Sequence, residues 1–338
     1  MRFRVRAAAP RDLEALYEMA KLAGGGLTNL PPDRCAIAEK LERSGAAFAA
    51  SHFHNGTELY LFVLENATTR EARGTAQLIA RTGQSAPFYS YRLATLTQHS
   101  KELDRTFRAE MLNLVTDLEG SSEVGGLFVH PAERAAGQGL LLARSRYLFI
   151  AMHRARFSDR ILAELRGVVD KRGASPFWDG IAGRFFGMSF HEADYFNALN
   201  GHQFIADLMP KHPIYLAMLP ESACRAIGVP HPSGRAAMRM LEAEGFAYEG
   251  YVDIFDGGPT LIARTDRVAS VAAARKAEVT VGEPDQGGRK ALVATGSLAQ
   301  FRCGFASVEE RVGRLIIDPH DAAGLSVGGG ETVWLVTR

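Results

Sequence analysis

The chain is poor in the features that would place it outside a reducing, aqueous compartment or beside a polyanion. Only three residues are cysteine (Cys35, Cys224 and Cys303), far apart and without C-x-x-C spacing. That argues against a disulfide scaffold and fits neutral thiols in a reducing compartment. Charge of one sign is missing too: 39 basic residues stand against 38 acidic ones, a net charge of +1. Such a balance gives no electrostatic case for nucleic acid or an anionic membrane as partner. No apolar run reaches the roughly 18 residues that a spanning helix needs. The start, MRFRVRAAAP, alternates charged and apolar residues and lacks the apolar core of a signal peptide. No repeat of fixed period is present. The expectation is a soluble, cytoplasmic chain with no metal site and no prosthetic group. Apolar residues make up 46% of its 338 positions, enough for two domains or one large domain with an appendage.

The segment from Glu123 to Phe157 says most about chemistry. Val124 to Val129 is an apolar run that reads as a strand. After a short polar loop comes Arg134-Ala-Ala-Gly137-Gln138-Gly139, an R-x-x-G-x-G turn that opens into a long amphipathic segment expected to be helical. The first N–H groups of a helix lack internal partners and the helix dipole favours negative charge there, so this is a natural anion site. Glycine at 137 and 139 lets the backbone close around phosphate oxygens. A P-loop would need Lys-Ser or Lys-Thr after its glycines, and a Rossmann turn has its glycines spaced the other way. A plain helix-capping turn is the competing reading. R-x-x-G-x-G after an apolar strand resembles the pyrophosphate loop of the GNAT superfamily, which binds acyl-coenzyme A. On that resemblance Val129, Arg134, Gly137, Gln138 and Gly139 are the expected coenzyme A contacts.

The rest of the chain reads as mixed α/β. Phe3 and Val5 alternate with Arg2, Arg4 and Arg6, the period of a half-buried strand. A helix runs from Pro10 to about Leu22, a second from 33 to about 52, and strands cover Leu59 to Leu64 and Gly74 to Arg81. Strand, helix, helix, strand, strand is the order in which GNAT folds begin. Further on, Ile161 to Val169 reads as a strand, 175–187 and 192–208 as helical, Ser233 to Ala243 as a helix and Tyr248 to Phe255 as a strand. From about 268 the character changes to short β-like runs at Ala291 to Ala294, Arg314 to Ile317 and Val333 to Val336. The expected division is a GNAT-like acyltransferase domain over 1–268 and a small β-rich unit over 269–338.

Longer blocks are more specific: GGGLTNLP (24–31), YRLATLTQHSKEL (91–103), SSEVGGLFVHP (121–131), LRGVVDKRGASPFW (165–178), FIADLMPKHPIY (204–215), VPHP (229–232) and FDGGPTL (255–261). Together and in this order they resemble the arginine N-succinyltransferase family. The resemblance covers nearly everything up to about residue 268. It implies transfer of a succinyl group from the co-substrate succinyl-CoA to the α-amine of L-arginine, with ornithine as a further acceptor in some members. It also implies a homo-oligomer, or a hetero-oligomer with a related chain. The family's catalytic histidine corresponds to His231, here with an extra proline before it, and its succinyl-CoA contact to Leu127.

The chemistry asks for a proton-transfer group, because an α-amine is mostly protonated near neutral pH. A histidine suits that task. His231 is the expected residue, although a histidine between two prolines is also ordinary for a surface loop. His212 is its rival, and His130 is expected only to end the strand. Adjacent Gly125 and Gly126 suggest a bulge or close backbone approach, which could aim an N–H at the thioester carbonyl. The substrate carboxylates call for Arg92, Lys101, Arg166 or Lys211, and the guanidinium for Glu123, Asp170, Asp253 or Asp256. Two other readings remain open: an acetyltransferase acting on another small amine, and a non-catalytic partner chain.

Overall fold

A computed structural model describes residues 1–23, 29–52, 56–170, 172–200, 203–209, 211–285, 288–311 and 313–337. Fifteen strands are described. The first are β1 (Phe3–Ala7), β2 (Leu59–Asn66), β3 (Ala72–Ile79), β4 (Ser90–Ser100) and β5 (Arg105–Val115). Next come β6 (Ser122–Val129), β7 (Arg160–Glu164), β8 (Ile214–Tyr215), β9 (Ala247–Val252) and β10 (Pro259–Arg264). The last five are β11 (Arg275–Val281), β12 (Arg289–Thr295), β13 (Arg302–Arg311), β14 (Arg314–Ile317) and β15 (Thr332–Thr337). The chain divides into two compact units, one of residues 1–81, 122–159 and 264–338, the other of residues 82–121 and 160–263.

In the first unit, β1, β2, β3 and β6 form consecutive antiparallel pairs. The helices Leu13–Ala23 and Arg34–Ala49 follow β1, so the expected opening order is present. Asp33 caps the second of these, its carboxylate accepting from Ala36 N at 2.8 Å. Leu16, Met19, Ile37 and Leu41 pack on Leu61 and Val63 of β2, a helical period meeting a strand period. The alternation in β1 has a different basis from the one expected. Arg4 and Arg6 are buried, not solvated, because β1 is covered on both faces. Each donates from Nε to the buried Glu65 at 2.8 Å, and Arg6 also grips Asp12 through two nitrogens. Buried charges persist only when paired in this way.

The C-terminal strands run in the order β12-β15-β11-β14-β13, and a β12–β13 pairing closes them into a five-stranded barrel. Val279, Val293, Val308, Leu315, Ile317, Val333 and Leu335 fill it. β13 pairs with β1 as well, at Val5↔Cys303 and Arg6↔Arg302. The helix Gln138–Met152 packs on β3 and β6 and also on β12, β15 and the short helix Ala269–Ala272. Its Phe149 ring meets Phe62 and Phe301, each at 5.1 Å. The helix is therefore buried nearly all round rather than amphipathic.

The second unit is a sheet in the order β7-β10-β9-β4-β5-β8 with small helices around it. Trp178, Phe177, Phe190, Phe255, Tyr91 and Leu112 form its core. Strand β7 stops at Glu164, short of the expected Val169. The expected helix at 175–187 is two short ones, Pro176–Gly180 and Gly183–Phe186, and the one at 192–208 is Phe190–Asn200 and Gln203–Leu208. Among the described residues no helix is long and apolar enough to cross a membrane.

Candidate functional site

The residues expected to meet coenzyme A all fall in the first unit. Opposite β3, Thr75 faces Phe128 but Gln77 faces Gly125, so β6 carries one extra residue at Gly126–Leu127. Gly126 takes a φ of +58°, which a side chain would resist. The glycine pair builds a bulge, and Leu127 sits half-buried within it. Arg146, buried on the following helix, donates to Gly125 O at 3.1 Å. Val129 is buried at the end of β6.

The chain then turns. His130 Nδ1 accepts from Ala132 N at 3.3 Å and caps the turn Pro131–Ala136. Gly137 takes φ +78°, and the helix starts at Gln138. Its first internal bonds run from Leu140 N and Leu141 N to Gly137 O, so the N–H groups of Gln138 and Gly139 lie ahead of them. Among the described residues nothing stands within 4 Å of where a Cβ would lie on Gly137 or Gly139. Arg134 is exposed, but its Nε donates to Val129 O at 3.0 Å and its guanidinium lies over the Phe128 ring. It braces the end of β6 against the turn.

Near the bulge, Glu123, one of the acids expected for the substrate guanidinium, meets Asn29 and Lys40, of which Lys40 carries no signal in the sequence. A Cβ on Gly125 would lie 3.0 Å from Glu123 Oε1 and 3.1 Å from Asn29 Nδ2. Lys40 donates to Asn29 O, and burial pulls its ammonium down to about 8, with Glu123 opposing the shift. Helical spacing alone gives Lys40 no signal, since it lies on the half-exposed side of Arg34–Ala49.

His231 lies in the second unit, where three of the recognisable blocks converge. Its N donates to Arg166 O at 2.8 Å, and Gly167 bridges Pro230. The Asp256 carboxylate accepts from Gly167 N at 2.7 Å and Gly258 N at 2.8 Å. Asp253 Oδ1 accepts from Phe255 N and Asp256 N. Both acids had been candidates for a substrate guanidinium; here Asp256 clasps the loop backbone. Burial, with Asp253 nearby, raises the Asp256 carboxyl. His231 Nδ1 lies 2.7 Å from Ser233 Oγ. Ser233 N also donates to Nδ1 at 3.3 Å, so Nδ1 carries the lone pair and, in the neutral ring, Nε2 carries the hydrogen. Burial and then the Arg166 charge hold His231 below the usual histidine range, which keeps it neutral near neutral pH.

The other expected residues are placed less centrally. Arg92 pairs with Asp117 at 3.3 Å and lies over the Tyr251 ring. Lys101, Lys211 and His212 are exposed. Asp170 lines a cavity of about 230 Å³ with Asp179, but its Oδ1 accepts from Arg172 N and Ala174 N. Of the GGGLTNLP block, Gly24 to Thr28 lies outside the described residues.

Comparison with known proteins agrees along the whole chain. Two family models match, one described as arginine N-succinyltransferase beta subunit over residues 3–270, the other as the C-terminal domain of that subunit over 275–337. An arginine N-succinyltransferase of Salmonella paratyphi B is 39% identical over 333 residues, covering 98% of this chain and 96% of the relative. That of Salmonella newport is equally similar. The solved structure of arginine/ornithine succinyltransferase subunit AI from Pseudomonas aeruginosa superposes with a TM-score of 0.92 at 34% identity, covering 99% of this chain and 98% of that one. The chain belongs to the arginine N-succinyltransferase family.

Proposed function

We propose that the chain transfers a succinyl group from succinyl-CoA to the α-amine of L-arginine, giving N2-succinylarginine and free coenzyme A. Family membership over the full length is the observation that carries this choice of substrates. The pyrophosphate is held by the N–H groups of Gln138 and Gly139 ahead of the helix, next to the open space over Gly137. Val129 and Leu127 line the pantetheine path, and Arg134 steadies it by tying the end of β6. The bulge turns the Leu127 N–H out of register, and such a donor stabilises the oxyanion of the thioester carbonyl.

His231 moves the protons. As a neutral imidazole it takes a proton from the α-ammonium, and the free amine attacks the thioester carbon. The tetrahedral intermediate loses its second amine proton to solvent and collapses with cleavage of the C–S bond, and the imidazolium returns its proton to the thiolate. Transfer is direct. Cys303 is buried, which pushes its thiol well above the usual range and unfits it as an acyl carrier. Residues 269–338 act as a β-rich appendage rather than as part of the catalytic apparatus. The setting is the cytoplasm, and the chain works as an oligomer, with itself or with a related chain.

Release of free thiol tests the reading. Purified chain should release it from succinyl-CoA with L-arginine. Release from acetyl-CoA alone would point to an acetyltransferase. Silence until a second chain is added would point to a partner subunit.

A further inference from the structure

Near His231 the second unit holds two buried polar atoms of opposite charge type that no described residue satisfies. Arg166 sits in the loop after β7, and among the described residues its Nε has no hydrogen-bond partner. Asp194 sits on the helix Phe190–Asn200, and its Oδ1 has none either. Buried groups are rarely left so without a reason, and a bound ligand is one such reason. The two sense each other. Burial raises the Asp194 carboxyl, while the charges of Arg166 and His191 oppose the shift and Asp253 adds to it. Yet their orphaned atoms are not bonded to one another. Arg166 is also tied to the catalytic loop, since its carbonyl accepts from His231 N. Nearby Asp256 is spent on backbone N–H groups, as is Oδ1 of Asp253.

We propose that Arg166 and Asp194 recognise the amino-acid head group of the acceptor, Arg166 taking its α-carboxylate and Asp194 its α-ammonium. This deepens the proposed transfer and rests on it. An α-amino acid carries a cation and an anion on one carbon. A guanidinium and a carboxylate that lie close but unpaired are its complement, and a guanidinium suits a carboxylate best. The α-amine is the reacting atom, so holding it at Asp194 places its proton beside the loop that carries His231. The pair reads the head group and not the side chain, so the ligand class is an L-α-amino acid, with arginine told from ornithine elsewhere.

Calorimetry on the full chain with free coenzyme A present tests this with three ligands. They are L-arginine, agmatine (no carboxylate) and 5-guanidinopentanoate (no α-amine). The intact protein should bind L-arginine roughly 10²-fold tighter than agmatine. Arg166→Leu should erase that ratio by weakening L-arginine and 5-guanidinopentanoate while sparing agmatine. Asp194→Asn should weaken L-arginine and agmatine alike and spare 5-guanidinopentanoate. Unchanged coenzyme A affinity would show that neither variant is broadly damaged. Equal binding of agmatine and L-arginine by the unaltered protein overturns the proposal without any variant, as does an Arg166→Leu protein that keeps the ratio. Thiol release assayed alongside keeps the two ideas apart. Binding that follows the head group without release would leave this site standing and sink the transfer.

Discussion

The glycines of the turn before the helix Gln138–Met152 differ from Gly167 and Gly258, beside the His231 loop, in what stands next to them. Among the described residues a Cβ on Gly137 or Gly139 would meet nothing within 4 Å, whereas a Cβ on Gly167 would lie 2.3 Å from Asp256 O and one on Gly258 2.0 Å from Leu165 O. One region leaves room that the protein does not fill. The other uses the missing side chain to bring two stretches of its own backbone together, with Asp256 closing them. A glycine in a candidate site is thus evidence for a ligand only where the space beside it is empty. The same motif letter can mark a surface to be covered or a frame to be held.

The sharpest break of this comparison is at the group the frame carries. His231→Ala should lower turnover roughly 10²–10⁴-fold and leave coenzyme A affinity nearly intact, measured by steady-state kinetics and calorimetry. In the unaltered protein the acid limb of kcat/KM should lie below the usual histidine range, because burial and Arg166 disfavour the imidazolium. A variant with normal turnover would remove His231 from the chemistry and make His212 the next residue to test.

Gly167→Ala attacks the frame itself. Its Cβ has no room, so stability should fall by about 3 kcal/mol in denaturant unfolding, and activity with it. Full stability would mean that Asp256 is not the clasp described. Gly139→Val is the counterpart in the open turn. It should weaken succinyl-CoA binding about tenfold or more, with little change in unfolding midpoint. Gly137→Val should do both, since its φ of +78° adds about 1–2 kcal/mol of strain. Equal succinyl-CoA affinity in both valine variants would take the pyrophosphate away from this turn.

The smallest effect concerns acid stability of the first unit. Burial and Arg156 pull His153 from 6.5 to about 4. Between those values the unfolded chain takes a proton that the folded site refuses, so stability is full above 6.5 and falls as pH drops towards 4. The slope in that window is at most about 1.4 kcal/mol per pH unit for one such group. His153→Gln should flatten the unfolding curve there, and an unchanged slope would assign the acid sensitivity elsewhere.

Much of the arrangement was legible in the residues. Period and caps located the opening helices and β2, and adjacent glycines announced the bulge in β6. Three limits were physical. The alternation of Arg2, Phe3, Arg4, Val5 and Arg6 reads as one wet face, because a buried arginine paired with Glu65 looks no different in sequence from a solvated one. The hairpin β4–β5 received no assignment, since its outer half is exposed on both faces and shows no contrast of period two. Strand β7 was drawn too long, because Val168 and Val169 look like strand but serve the aromatic core of the second unit. Within the candidate site, motif and resemblance are what single out His231 and the turn at 134–139. They do not single out Asp194, because only folding brings it near Arg166.

Strand β13 has two allegiances, as a stave of the barrel and as the neighbour of β1. Shortening the chain for expression or fusion work at the apparent family boundary near residue 270 would strip that neighbour away. Val5 and Arg6 would then present bare backbone amides and carbonyls along an open border, ready to recruit another molecule's strand. The helix Gln138–Met152 would lose its outer cover at the same time. A trimmed protein of this kind is therefore expected to precipitate rather than to behave as a smaller enzyme.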